Sequence, residues 1–420
     1  MLAYFFNRSY GDRYFLNPSD YNSYLESGNA EKVNQIENEI TFWREKLADA
    51  PEQYTFNKKA AHAMMESFAV ERDVHKLNEA TRILENIHQN INPKDVSVMR
   101  SLARNYISQH RFIDAQAVLL KAEKNGEGLA ETRSILSDVY LELGEVSASE
   151  NHLEQAFSDK NDFHYLIRKA KLADHNGNLD EAIQLLEIAS DRALKMNDEN
   201  LSYWSWSNLG DFYGHAGRIE DSYNAYLSAM KIKPYETYPL YGIAWISFSH
   251  LKNYEEAHRI LDHLEGRSSD PKYYDQKAQV AQAQGNNIDY EIYQRRYINE
   301  IKKAAYGGMY APVWIEYGLS FDHDNSELVD RAQHEVDKRP VPQSQALLAW
   351  AYFHNGELSK AVEIMDSEVY EKCYEPSVLY QMAEIYKADR RYEIVSNLKS
   401  ELQESIYELG PAMAPIVDRL

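Results

Sequence analysis

The sequence predicts an all-α solenoid of about nine to ten helix-turn-helix repeats. Three observations carry that prediction. Small residues recur at a period near 34, glycines fall between the helices of each pair, and apolar residues keep helical spacing within each segment. The segment that starts at Tyr203 shows the period most clearly. Counting Tyr203 as position 1, Trp206 is at 4, Leu209 at 7, Gly210 at 8 and Tyr213 at 11. Gly217 follows at 15, Ser222 at 20, Tyr226 at 24, Ala229 at 27 and Pro234 at 32.

Each position has a physical reason. Positions 4, 7, 8 and 11 lie on one face of a helix. Small residues at 8, 20 and 27 let two antiparallel helices approach closely. Glycine at 15 relaxes the turn between them, and proline at 32 stops the second helix. Position 8 recurs as Ala103, Ser137, Ala170, Gly210, Trp245, Ala278, Ala349 and Ala383. The separations are 34, 33, 40, 35, 33, 71 and 34. The long gap calls for one degenerate repeat, with Trp314 and Tyr317 at its positions 8 and 11. The separation of 40 calls for extra residues near Asp191–Leu201. Position 20 forms a second ladder: Ala80, Ala115, Ser149, Ala182, Ser222, Ala257 and Ala361. Position 15 holds Gly144, Gly177, Gly217, Gly285 and Gly356.

The pattern resembles the tetratricopeptide repeat (TPR), and the resemblance covers roughly residues 52–408. It implies a right-handed superhelix whose concave surface is lined by the first helix of each pair. One pair cannot bury its apolar face, so stacked pairs must share a continuous core. The stretch from Glu335 to Tyr352, with Asn355-Gly356 and Tyr374 to Tyr380, is similar to a group of bacterial TPR proteins that are often exported.

The expected organisation has three parts. Residues 1–50 form an N-terminal extension and capping helix, 51–410 the solenoid with its degenerate repeat near 305–340, and 411–420 a C-terminal tail. Asn17-Pro18-Ser19-Asp20 reads as a helix start. Ala30–Leu47 reads as an amphipathic helix, with Val33, Ile36, Ile40, Trp43 and Leu47 along one side. It either caps the first repeat or forms a short coiled-coil seam. A helix near Glu393–Tyr407 caps the other end, and Gly410-Pro411 closes it.

Composition narrows the function classes. The 66 Asp+Glu against 45 Lys+Arg leave a net charge of −21, which opposes approach to nucleic acid or an anionic membrane. One cysteine, Cys373, makes neither an internal disulfide nor a Cys-rich zinc site, and leaves the redox compartment unread. No apolar run has the length of a transmembrane helix. Met1 to Phe6 does not read as an intact signal peptide. Localisation is expected to be periplasmic or exported if a presequence was removed, and otherwise cytoplasmic. Oligomeric state is not legible.

No catalytic residue, cofactor site or metal site is expected. The phosphate loop, helical zinc-protease motif and nucleophile elbow are absent. Asp322-His323-Asp324 reads as a turn, because three consecutive residues rarely converge on one metal. His164, His175 and His215 read as groove residues on or beside first helices. Arg100 and Arg104, at positions 5 and 9 of one first helix, share a face. TPR modules that grip a peptide carboxylate place basic residues there, and Lys171 holds position 9 two repeats on. The companion asparagines of that clamp are replaced by Asp138 and Asp211. The other reading is an internal ladder of Arg104, Asp138, Lys171 and Asp211, alternating in sign. A second basic cluster, Tyr293 to Tyr297 with Lys302-Lys303, reads as a face packed beside core tyrosines.

The expected function is a non-enzymatic scaffold that binds a protein or peptide partner of basic character in the concave groove. The alternatives are a carbohydrate-active enzyme of the helical-toroid type, cutting sugars with two carboxylates, and a ligand-regulated TPR switch. A solenoid of this period is expected to stay open, which speaks against the toroid. Of the 32 tyrosines, 16 lie between Tyr203 and Tyr317, and ten of those are off the repeat pattern. Tyrosine and tryptophan favour interaction surfaces, so the middle repeats around Trp204 become the candidate binding region. The competing reading is thicker packing between irregular helices.

Overall fold

The computed structural model describes residues 15–320 and 325–420. The turn read at Asp322-His323-Asp324 and the opening residues Met1–Phe6 lie outside the described residues. Helices dominate, and the described residues contain no strand. A 3-10 turn at Pro18–Asp20 leads into α1 (Asn22–Ser27) and α2 (Ala30–Asp49). Asn17 opens that turn, its Oδ1 accepting from the Ser19 N–H at 3.1 Å.

Ten helix pairs follow. The first five are α3 (Tyr54–Glu71) with α4 (Val74–Asn86), α5 (Val96–Ser108) with α6 (Phe112–Asn125), α7 (Leu129–Glu142) with α8 (Val146–Ala156), α9 (Phe163–His175) with α10 (Leu179–Met196), and α11 (Glu199–His215) with α12 (Ile219–Ile232). The next three are α13 (Tyr238–Trp245) with α14 (Tyr254–Glu265), α15 (Lys272–Ala283) with α16 (Asn287–Ile301), and α17 (Ala311–Leu319) with α18 (Ser326–Lys338). The last two are α19 (Pro342–His354) with α20 (Leu358–Ile364) and α21 (Pro376–Ala388) with α22 (Tyr392–Glu404). The short α23 (Ile406–Leu409) and α24 (Ala414–Val417) end the chain. Wider π turns prolong α4, α13 and α20.

The two ladders of small residues hold each pair together. Every position-20 residue read from the sequence is buried. Where it is serine it bonds its own pair: Ser149 Oγ donates to the Ser137 carbonyl at 2.7 Å, and Ser222 Oγ to the Gly210 carbonyl at 2.6 Å. The span expected for the degenerate repeat holds α17 with α18, and Ala332 of α18 is fully buried. The extra residues near Asp191–Leu201 do not make a loop. They lengthen α10 and α11 to 18 and 17 residues.

Among the described residues, position 15 is left-handed whether or not it is glycine. Gly144, Gly177, Gly217, Gly285 and Gly356 have φ between 70° and 80°. Where glycine is missing, His110, Lys252 and Arg390 adopt the same conformation at φ 56°, 53° and 64°. The turn geometry therefore overrides side-chain preference.

In three of the pairs a tyrosine at position 11 ties the pair to the one before it. The Tyr106 hydroxyl donates to Glu85 at 2.7 Å, Tyr213 to Glu187 at 2.8 Å and Tyr386 to Asp366 at 2.8 Å. An arginine five residues later stacks on each ring: Arg111, Arg218 and Arg391 stand 4.1, 4.2 and 5.0 Å from the centroids. Each arginine also pairs with the same carboxylate.

The superhelix closes on itself. The loop after the first helix of one pair meets the loop before the pair six further on. The Ser269 N–H donates to the Glu71 carbonyl at 2.7 Å. Arg339 donates to the Glu142 carbonyl at 2.8 Å and pairs with its carboxylate at 2.7 Å, across 197 residues. The Tyr374 ring covers Gly177, where an added Cβ would meet it at 3.1 Å. His215 Nδ1 lies 3.0 Å from Glu408 Oε2. The expectation of an open solenoid is therefore corrected: curvature brings successive turns into contact, and compactness does not separate this fold from a toroid.

The N-terminal segment keeps the same register. α2 packs Ile36 and Ile40 against α3 and α4, as a capping helix does. Ahead of it, Tyr21 and Leu25 are buried in the core cluster of α12, α13 and α14. Arg259 donates to Asn22 at 2.8 Å and Arg267 to the Tyr24 carbonyl at 2.9 Å. At the other end Val417 is buried in the core of the last two pairs.

Neighbouring pairs are tightest around Tyr226. An added Cβ would meet its ring at 2.4 Å from Gly210 and 2.3 Å from Gly242. Gly242→Ala is expected to lower unfolding stability by about 1–3 kcal/mol through overpacking, read in a urea melt. Tyr226→Ala is expected to cost about 3–5 kcal/mol by opening a cavity in the same place.

Candidate functional site

The concave side of the middle repeats carries two adjoining cavities. The larger, about 650 Å³, lies between the first helices α7, α9 and α11 and the facing turn, which contributes Arg339, Tyr374, Glu375 and Glu408. Its floor is apolar, with Ile167, Leu179, Trp204 and Phe212. Its rim is charged, with Lys171, Asp174, His175 and His215. The smaller, about 300 Å³, is lined by Asp211, Tyr238, Tyr241, Trp245 and Tyr407. His215 and Glu408 line both, so their contact is the partition.

The sequence-derived residues fall in three places. Arg100 is buried, with Nε 2.9 Å from Glu131, and Arg104 reaches the same carboxylate at 2.8 Å. The two arginines thus share one acid of α7. Asp138 is held by Arg168 at 2.8 Å and by Lys171 at 3.5 Å. In the ladder of alternating charges, the described ion pairs include the step Asp138–Lys171. Arg104 pairs with Glu131 instead, and Asp211 accepts from the hydroxyls of Tyr226 and Tyr238 at 2.7 and 2.8 Å. Trp204 stands edge-on to Phe163, with centroids 6.0 Å apart, and shares the larger cavity with Lys171.

The off-pattern tyrosines of the middle repeats are packed. None of the 16 between Tyr203 and Tyr317 is exposed. Tyr223 is buried, and its hydroxyl donates to Asp20 at 3.1 Å, joining the N-terminal segment to α12. Tyr238 and Tyr241 flank the ammonium of Lys272, whose Nζ is 4.9 and 4.3 Å from their centroids. Lys272 also pairs with Asp270 at 3.3 Å. Tyr407, Glu408 and Arg339 belong to the site but could not be found from the repeat pattern. They arrive from six pairs away, and no local signal marks them.

Burial sets the electrostatics. It raises the carboxyl of Asp211, against the two tyrosine hydroxyls that lower it. It pushes Asp275, on the concave side of α15, up to about 6. It lowers Lys272, against the pull of Asp270. For His215, burial alone lowers the imidazole. Its hydrogen bond to Glu408 and the charges of Glu408, Asp211 and Asp174 outweigh that, so the pKa is held above its ordinary value.

A raised histidine pKa gives stability that is complete below the unfolded value of about 6.5 and is lost as pH rises through the folded value. Asp174 and Asp211, also raised, act in the same direction. Hydrogen-exchange protection factors at Glu408–Gly410 are therefore expected to fall as pH rises above the ordinary histidine range of about 6.5. His215→Gln is expected to flatten that change.

No protein-family model matches the sequence, and no curated protein matches it. Solved structures do. PilF of Pseudomonas aeruginosa is similar at 14% identity with a TM-score of 0.38, covering 51% of this chain and 96% of that one. A human IFIT1 dimer with PPP-AAAA is similar at 13% identity with a TM-score of 0.47, covering 74% of this chain and 71% of that one. YrrB, described as a TPR protein with an unusual peptide-binding site, is similar at 15% identity with a TM-score of 0.28, covering 48% and 97%. By its repeat phase and its stacked helix pairs, the chain is an all-α helical-repeat solenoid whose repeat is similar to the tetratricopeptide repeat.

Proposed function

We propose that the chain is a non-enzymatic scaffold that takes a peptide or protein partner on its concave side. The observation that supports this most is the larger cleft. An apolar floor of Ile167, Trp204 and Phe212 is bordered by charges from two superhelical turns. Such a cleft can bury an apolar anchor of a partner while charged rims fix its direction. Lys171 and Trp204 are the contact residues in this reading, with Arg104, Asp138 and Asp211 along the same concave edge. Arg100 supports the site by holding α7 through Glu131. The net charge of −21 favours a partner of basic character by long-range steering.

The test is affinity capture from the native host, read by mass spectrometry, with two variants. Trp204→Ala and Lys171→Glu are each expected to reduce the captured partner at least tenfold, with helical circular dichroism unchanged. Capture that is the same for wild type and both variants would remove this cleft from the reading. Sugar hydrolysis by the purified chain that is lost on neutralising one concave carboxylate, Asp211→Asn, would favour the enzymatic alternative.

A further inference from the structure

The groove face of α11 and α13 already holds a short peptide, and that peptide is part of the same chain. Residues Ile406–Gly410 run across it. The Tyr407 carbonyl accepts from Trp245 Nε1 at 3.0 Å and from Ser249 Oγ at 2.7 Å. The Tyr407 ring lies on Gly214, where an added Cβ would meet Cε1 at 2.8 Å. Glu408 faces His215 at 3.0 Å. Gly410 abuts the Phe248 ring, where an added Cβ would come within 3.1 Å. The contacts are a backbone carbonyl, one aromatic ring and one carboxylate, which is how a groove reads a short segment.

The segment sits between the C-terminal cap and the groove: Ile406 and Leu409 pack on the core of the last two pairs, while Tyr407 and Glu408 face α11 and α13. Ile406, Tyr407, Glu408 and Leu409 keep partial exposure, whereas Gly410 is buried and Leu402 and Val417 on either side are fully buried. α24 is fastened to α21 and α22 without α23. Lys399 donates to the Asp418 carbonyl at 2.6 Å, Gln403 to the Asp418 carboxylate at 2.9 Å and Lys387 to the Arg419 carbonyl at 2.9 Å. The segment also leaves the neighbouring cavity of about 300 Å³ unfilled.

We propose that Ile406–Gly410 is a tethered occupant of a peptide groove, and that a partner segment of the same pattern exchanges with it. The pattern is an aromatic residue followed by a carboxylate. This rests on the scaffold reading above. Tethering gives the internal segment a high effective concentration, so an external one competes against it. When Glu408 leaves His215, the partition between the two cavities is removed and the concave site becomes continuous.

The test uses full-length chains and a labelled peptide of residues 403–412, followed by fluorescence anisotropy. The peptide is expected to bind the double variant Tyr407→Ala/Glu408→Ala at least tenfold more tightly than wild type. A peptide with alanine at both positions is expected not to bind either chain. Adding Trp245→Phe to the double variant removes the indole donor and is expected to weaken binding at least fivefold. Should the double variant misfold, Glu408→Ala alone is read by hydrogen exchange. Loss of protection confined to Ile406–Gly410 supports the exchange, and loss that extends through α24 overturns it. Equal affinity of the peptide for wild type and double variant also overturns it. Partner capture that depends on Trp204 while the peptide fails to bind leaves the scaffold reading standing. Peptide exchange without any loss of capture on Trp204→Ala does the reverse.

Discussion

The close approach of helices at two small-residue positions governs the whole molecule. Alanine, serine or glycine at position 20, and at position 8 in most pairs, sets how near the helices of a pair lie. The Tyr226 ring, wedged between Gly210 and Gly242, then sets how near one pair lies to the next. Each pair adds a small rotation, and six pairs add up to one superhelical turn. The contacts Glu71–Ser269, Glu142–Arg339, Gly177–Tyr374 and His215–Glu408 all repeat at that interval. They are individually modest: one backbone hydrogen bond, two ion pairs and one ring on a glycine. Their regular spacing follows the curvature of the stack.

Closure decides what the concave side can do. An open solenoid would offer a broad groove, whereas this one narrows it to clefts bounded by two turns. The charged residues there are largely committed: Asp211 to two tyrosine hydroxyls, Asp138 to Arg168 and Lys171, Arg100 to Glu131. What remains open is an apolar floor at Trp204 and Phe212 and a partition of one histidine and one glutamate. The cleft is therefore a mixed surface.

The dense tyrosines of the middle repeats belong to the same account. They look like an interaction surface in the sequence, because tyrosine is common at interfaces. In the fold they are packed. Tyr21 and Tyr223 fasten the N-terminal segment, Tyr226 separates two helix pairs, and Tyr238 and Tyr241 enclose the ammonium of Lys272. A phenol buries a large area and still offers one hydrogen bond, which suits it to a wall between neighbouring turns. Trp204 is the aromatic of that region singled out in the sequence that does face an open cleft.

The sequence by itself determined the repeat, its phase and its contents. The ladders at positions 8 and 20 and the glycines at 15 are local patterns, and each describes contact between residues within about one period. The same ladders point to a degenerate repeat around Trp314, and the helical spacing of Val33, Ile36, Ile40, Trp43 and Leu47 points to the helix that precedes the repeats. Only the tertiary structure decided the rest: that the turns touch, that Tyr407 and Glu408 enter the groove of α11, and that residues 15–29 dock on α12 and α14. Those contacts join residues some 160–240 apart. They depend on the rotation summed over six pairs. A slight change in that rotation per pair would move the facing turn past its partner, and no local pattern encodes the sum.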